Sequence, residues 1–197
     1  KPANLSIKYT DVATVSWEDV TNSDIDYYEI RTNKDTGEND GLLARTSDTS
    51  VVVPLASRTG TIYVFGHNTS KLYGYPAILE YSKALPPKPN APTVVSKLGA
   101  LGITTDAIPS DCSGVKIHIN HDIVTSTNNT VQYPCNAGIY NVSYGFYDLF
   151  GEGKVSEETT VVVKVLVDQK LLEDGAVSIK KVDETVTKAI EDASNND

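Results

Sequence analysis

From Tyr140 to Phe146 the chain places a large apolar side chain at every second position. Tyr140, Val142, Tyr144 and Phe146 alternate with Asn141, Ser143 and Gly145. A helix would scatter these side chains around its circumference, whereas a strand sets them all on one face, so the stretch predicts a strand half-buried against a core. It ends in Asp148-Leu149-Phe150-Gly151-Glu152-Gly153, a turn signal, and Val161, Val163 and Val165 follow in a β-rich segment. The whole reads as a hairpin.

The same period recurs in short bursts along the rest of the chain. Ala13, Val15 and Trp17 come first, then Ile25, Tyr28 and Ile30, then Val51, Val53 and Leu55, then Ile62 and Val64, then Ala77 and Leu79. Clusters such as Thr21-Asn22-Ser23-Asp24 punctuate them, and seven short strands fit the span 1–84. Pro86, Pro87, Pro89 and Pro92 then fix φ and remove backbone donors, which predicts an extended linker over 85–92. Beyond it Leu101 and Ile103, Val115, Ile117 and Ile119, and Val131 and Tyr133 lead into the hairpin, so 93–167 repeats the plan. The expected fold class is all-β: two sandwiches in tandem, each of about 80 to 90 residues, enough to bury roughly 60 % of the unfolded surface. The remainder, 168–197, is a C-terminal extension. There Val182, Val186 and Ile190 form a narrow apolar stripe at helical spacing behind Asp183 as N-cap, which predicts a short helix suited to self-association.

The residues just quoted carry a resemblance. Val15-Ser16-Trp17-Glu18-Asp19-Val20 followed by Ile25-Asp26-Tyr27-Tyr28-Glu29-Ile30-Arg31 resembles strands B and C of fibronectin type III domains. Tyr140 to Ser156 resembles that family's last hairpin, with Tyr140 at the tyrosine-corner position. The resemblance implies a structural core containing Trp17, Tyr28, Tyr140, Val142, Tyr144 and Phe146. Two departures stand out. The first copy has Gly60 where the corner tyrosine belongs, and the second has polar residues near Thr105 where the strand B tryptophan belongs.

Composition then excludes several function classes. The net charge of −9 comes without a Lys/Arg stripe, so no nucleic-acid partner is expected. No apolar run approaches the roughly 20 residues of a membrane helix, so membrane insertion is not expected either. The two cysteines, Cys112 and Cys135, fall in the B–C and E–F loops at opposite ends of a sandwich, which predicts free thiols. His118, His121 and Cys112 are residue types that ligate zinc, but strand alternation points positions three apart to opposite faces, so no zinc site is expected. Asp35 to Asp40 lacks the spacing of a calcium loop. No nucleophile elbow, metalloprotease helix, phosphate loop or dinucleotide fingerprint appears, and no cofactor or catalysis is expected. Tyr27, Tyr63, Tyr73, Tyr75 and Tyr147 fall at outward or loop positions, and of these Tyr73 and Tyr75 are the candidate pair for stacking on a sugar or partner surface.

A second resemblance concerns the whole chain. Tandem sandwiches followed by Leu171-Leu172-Glu173-Asp174-Gly175, a Val177-Ser178 element reaching Val182, and a polar helix are similar to the C-terminal part of host-specificity (tip attachment) proteins of long-tailed bacteriophages. The match to that family's Gly-x-Ile-Thr/Ser-x-x-x-Leu stretch rests on Gly175, Val177, Ser178 and Val182. It implies a virion location, other tail-tip or fibre subunits as partners, a homotrimer in the full-length protein, and a bacterial surface receptor or polysaccharide as target. Two alternatives use the same modules: a spacer in a secreted bacterial polysaccharide-degrading enzyme, and an adhesin at the cell surface.

Overall fold

A computed structural model describes residues 1–19, 24–34 and 41–164. Within them the chain is all-β, as expected. The first seven strands are β1 (Ala3–Tyr9), β2 (Ala13–Glu18), β3 (Ile25–Arg31), β4 (Leu42–Thr46), β5 (Ser50–Val53), β6 (Thr59–Asn68) and β7 (Ala77–Ser82). They form two antiparallel sheets, β1-β2-β5 and β4-β3-β6-β7. Alternation decides what each strand buries. Ala13, Val15 and Trp17 of β2 face Tyr28 and Ile30 of β3 and Ile62 and Val64 of β6, all withdrawn from water. Trp17 meets Tyr28 edge-on, with ring centroids 5.1 Å apart. Each such large side chain contributes about 1.5–3 kcal/mol by leaving water.

The second set is β8 (Thr93–Lys97), β9 (Ala100–Thr104), β10 (Gly114–Ile119), β11 (Asp122–Ser126), β12 (Thr130–Pro134), β13 (Gly138–Asp148), β14 (Gly151–Val155) and β15 (Thr159–Val163). Its sheets are β12-β9-β8 and β11-β10-β13-β14, with β15 also on β13. Leu101, Ile103, Val115, Ile117, Ile119, Val142, Tyr144 and Phe146 form its core. The two cores are separate clusters, so the molecule is a pair of fibronectin type III-like sandwiches in series.

The predicted closing hairpin has a break in its return arm. The second half of β13 pairs with β14, and its first half pairs with β15. Ser156 makes the jog: its N–H donates to Tyr144 O at 2.8 Å, and its Oγ accepts from Tyr144 N–H at 3.1 Å. Tyr140 is half-buried against the core, and its hydroxyl donates to Asn136 O at 2.9 Å, which ties β13 to the corner before it. In the first sandwich the ring of Tyr81 lies where a side chain at position 60 would point, since a Cβ on Gly60 would come within 2.7 Å of Tyr81 Oη. A tyrosine from the partner strand thus covers the corner that lacks its own.

No strand occurs between Ser82 and Thr93, yet this segment is no free tether. Pro86, Pro89 and Pro92 are buried while their neighbours Pro87, Lys88, Asn90 and Ala91 are exposed. A spacing of three is the period of polyproline II, so one edge of the segment lies against protein along its length. Thr159 Oγ1 donates to Pro92 O at 2.8 Å, Asp106 accepts from Asn90 N–H at 3.0 Å, and Lys88 pairs with Glu157 at 2.5 Å. The segment is strapped to the second sandwich.

Candidate functional site

The predicted pair Tyr73 and Tyr75 lies in the loop between β6 and β7. Asn68 shapes that loop. Its Oδ1 accepts from Leu72 N–H at 2.9 Å, its carbonyl accepts from Lys71 N–H at 2.8 Å, and its own N–H donates to Leu72 O at 3.0 Å. Lys71 takes φ +59° to close the turn, and Tyr73 makes an isolated bridge back to His67. Tyr73 is thereby laid on the outer face of β6, edge-on to Phe65 at 5.8 Å and tilted over His67 at 5.2 Å. With Lys34, Phe65, Gly74, Tyr75 and Pro76 it lines an open, mostly apolar depression of about 400 Å³. Tyr75 stands 89 % exposed at its rim and Tyr73 51 %.

Beneath this loop the outer sheet face carries buried charge. Glu29 accepts from Arg31 Nε at 2.9 Å and from Arg45 Nε at 2.7 Å, and His67 Nε2 lies 3.4 Å from the same carboxylate. Tyr27 stacks flat on His67, centroids 4.6 Å apart. Burial alone would raise the Glu29 carboxyl, but the bonds from Arg45 and Arg31 outweigh it and hold the group below its ordinary value. Arg31 is 1 % exposed, so the loop and its rings seal a charged network.

A second constellation lies where the sandwiches meet. Asp148, the last residue of β13, is fully buried and accepts a fork from Arg58: Nη1 to Oδ2 at 2.7 Å and Nη2 to Oδ1 at 2.8 Å. Phe150 N–H adds a bond to Oδ1 at 2.9 Å. Lys83, also buried, reaches Asp111 at 2.5 Å and Asp148 at 3.6 Å. Two cations therefore face two anions. Arg58 further donates to Ala84 O at 3.0 Å and lies 5.1 Å from the ring centre of Phe150, while Lys83 sits over Tyr9 at 5.8 Å. Leu149, at the tip of the β13–β14 turn, packs against the core of the first sandwich. Burial pushes the Asp148 carboxyl up, but the Arg58 bonds, the Phe150 N–H and the Lys83 charge bring it below its ordinary value. Asp111 is lowered by its bond to Lys83.

The other candidates fall as follows. Cys112 and Cys135 are both free thiols, and burial pushes that of Cys112 up. His118 and His121 do not diverge as strand alternation predicts. His121 lies in the turn after Ile119, beyond the strand, and both histidines line one shallow depression with Asn120, Asn141, Ser143 and Glu158. His118 Nε2 is 2.7 Å from Glu152. Among the described residues no three of His, Cys, Asp and Glu converge as a metal would require. Tyr63 lies beneath the Lys34 ammonium at 5.9 Å, and Tyr147 beneath that of Lys116 at 5.9 Å. Asp35 to Asp40, and Val182, Val186 and Ile190 with their predicted helix, lie outside the described residues.

No family model matches the chain, and neither does any curated protein. Among solved structures it is similar to the FN1–FN3 domains of chicken CNTN1, with TM-score 0.42 and 11 % identity over 83 % of this chain and 68 % of that one. It is similar also to the chicken interferon gamma receptor alpha chain (TM-score 0.34, 12 % identity, 83 % and 98 %) and to a segment of two fibronectin type III domains from chicken tenascin (TM-score 0.34, 14 % identity, 83 % and 99 %). At these scores the fold rests on the strand order and register given above.

A predicted loop position and an amphipathic ring single out Tyr73 and Tyr75 in the sequence, but nothing in it singles out the four charges of the joint. Arg58, Lys83, Asp111 and Asp148 are dispersed along the sequence, and a charged residue in a loop reads as solvated. The one local signal was Asp-Leu-Phe-Gly at 148–151, where a turn tip carries two large apolar side chains.

Proposed function

We propose that the chain is a non-catalytic spacer, two sandwiches held in one mutual orientation, within a host-attachment protein at the tail tip of a long-tailed phage. The observation that carries the spacer role is the joint. Buried ion pairs gain little stability over apolar contacts, but they are satisfied in a single geometry, and Asp148, with three hydrogen-bond donors and the Lys83 charge beside it, has one arrangement that leaves no charge unpaired. Leu149 in the neighbouring core and the strapped proline segment restrict the same degrees of freedom. Such a unit passes on distance and direction. Each core is filled by apolar side chains, and the depressions on the surface are open, which suits a module that displays rather than encloses.

The tail-tip setting is supported by the resemblance at Gly175, Val177, Ser178 and Val182 and by the Val182, Val186, Ile190 stripe beyond it. In this setting three copies associate through the C-terminal extension, and threefold avidity supplies the strength a small surface lacks. Sedimentation of the whole chain against one ending at Val167 tests the assembly. A trimer that becomes a monomer on truncation is the expected result, and two monomers at high concentration would remove the ground for the tail-tip reading. The spacer role would survive that outcome.

A further inference from the structure

We infer that the depression around Tyr73 and Tyr75 is a binding site for an uncharged saccharide. This assigns a ligand class to the attachment role proposed above and rests on that role for its biological setting, though the binding itself does not.

Three observations carry it. The first is preorganisation. The Asn68 bonds and the bridge to His67 fix the loop, and Tyr73 is backed by Phe65 and His67, so its ring is held in place before any ligand arrives. Tyr75, 89 % exposed, contributes nothing visible to the core and is available to a ligand. The second is charge. In a chain of net −9 the six described residues that line the depression include one charged group, Lys34, and its ammonium is already directed at the ring of Tyr63, 5.9 Å from its centre. Among the described residues a charged ligand would find no counter-ion held ready for it, whereas a neutral one needs none. The C–H face of a pyranose carries slight positive charge and matches the negative face of a tyrosine ring, while the Tyr75 hydroxyl can bond sugar hydroxyls at the rim.

The third is extent. The exposed apolar side chains around the depression are Leu72, Tyr73, Tyr75 and Ile78. At about 400 Å³ the depression falls within the range of small-ligand sites, roughly 300–1,000 Å³.

Stacking on a ring face discriminates weakly among sugars, so a short panel is a fair test. The whole chain, carrying ¹³C in its tyrosine rings, is titrated with maltohexaose, cellohexaose and chitohexaose and followed by two-dimensional aromatic spectra. At least one should shift the Tyr73 and Tyr75 signals with a Kd of about 1 mM, leave Tyr147 unmoved, and bind alike at low and high salt. Tyr75→Ala should weaken binding about tenfold or more with no change in melting temperature, because that side chain is outside the core. Tyr73→Ala should weaken it also. Silence from all three sugars at about 10 mM would overturn the inference. Shifts only with an oligogalacturonate, lost in salt, would overturn it in favour of an anionic ligand. Shifts only with a decaproline peptide would overturn it in favour of a proline-rich partner. None of these failures bears on the trimer or on the fixed joint, which are measured separately.

Discussion

Asp148 has a side chain with no exposure to solvent, and it stays ionised because Arg58, Lys83 and the Phe150 N–H supply more than burial takes away. Asp148→Asn keeps the shape and removes the charge, leaving two cations facing Asp111 alone. The expected loss is about 3 kcal/mol, read as a lowered urea midpoint. The sign of the pH dependence follows from the direction of the shift. Asp148 and Asp111 both lie below their ordinary values in the folded protein, so their contribution is complete above about pH 4 and is lost as pH falls through the folded values. Urea midpoints should therefore drop below pH 4 in the natural chain and drop less in Asp148→Asn. Tyr140→Phe removes one hydroxyl bond, to Asn136 O, at about 1 kcal/mol. Trp17, Tyr28, Tyr140 and Tyr144 could be picked out from period and aromatic type alone. The Arg58–Asp148 pair could not, since nothing in residue type distinguishes a buried pair from two solvated loops until the sandwiches are docked.

At the scale of elements, β13 is the strand on which the second sandwich is assembled, with β10 on one side and β14 then β15 on the other. Its alternation was legible because Val142, Tyr144 and Phe146 on one face are buried. The jog at Ser156 was not, because a serine that bonds to a neighbouring backbone has the same appearance in sequence as one in a turn. The proline segment was legible as extended and illegible as strapped, since its three-residue burial pattern depends on what lies beneath it. Gly153 is part of what lies beneath. A Cβ there would come within 2.7 Å of Pro86 O and 2.8 Å of Pro86 Cβ. Gly153→Val should push the segment outward and cost about 1–3 kcal/mol, seen as a lower melting temperature. Gly74, where a Cβ meets nothing within 4 Å, supplies the control, and Gly74→Ala should leave the melting temperature within a degree or two.

At the scale of the molecule, two cores that share no buried residue are joined by a turn, a strap and four charges, and the joint decides what the pair can do. A loose joint would make the sandwiches two beads on a string, whereas a fixed one makes them a strut. The deciding measurement is the distance distribution between spin labels placed on Val52→Cys in β5 and Ile123→Cys in β11, both more than half exposed, with Cys112→Ala and Cys135→Ser as background. Because Asp148 and the Arg58 fork that holds it are largely withdrawn from water, salt should screen that pair little. One narrow distance, unchanged at high salt and broadened by Asp148→Asn, is the predicted result; a broad distribution in the natural joint, indifferent to Asp148, would contradict it.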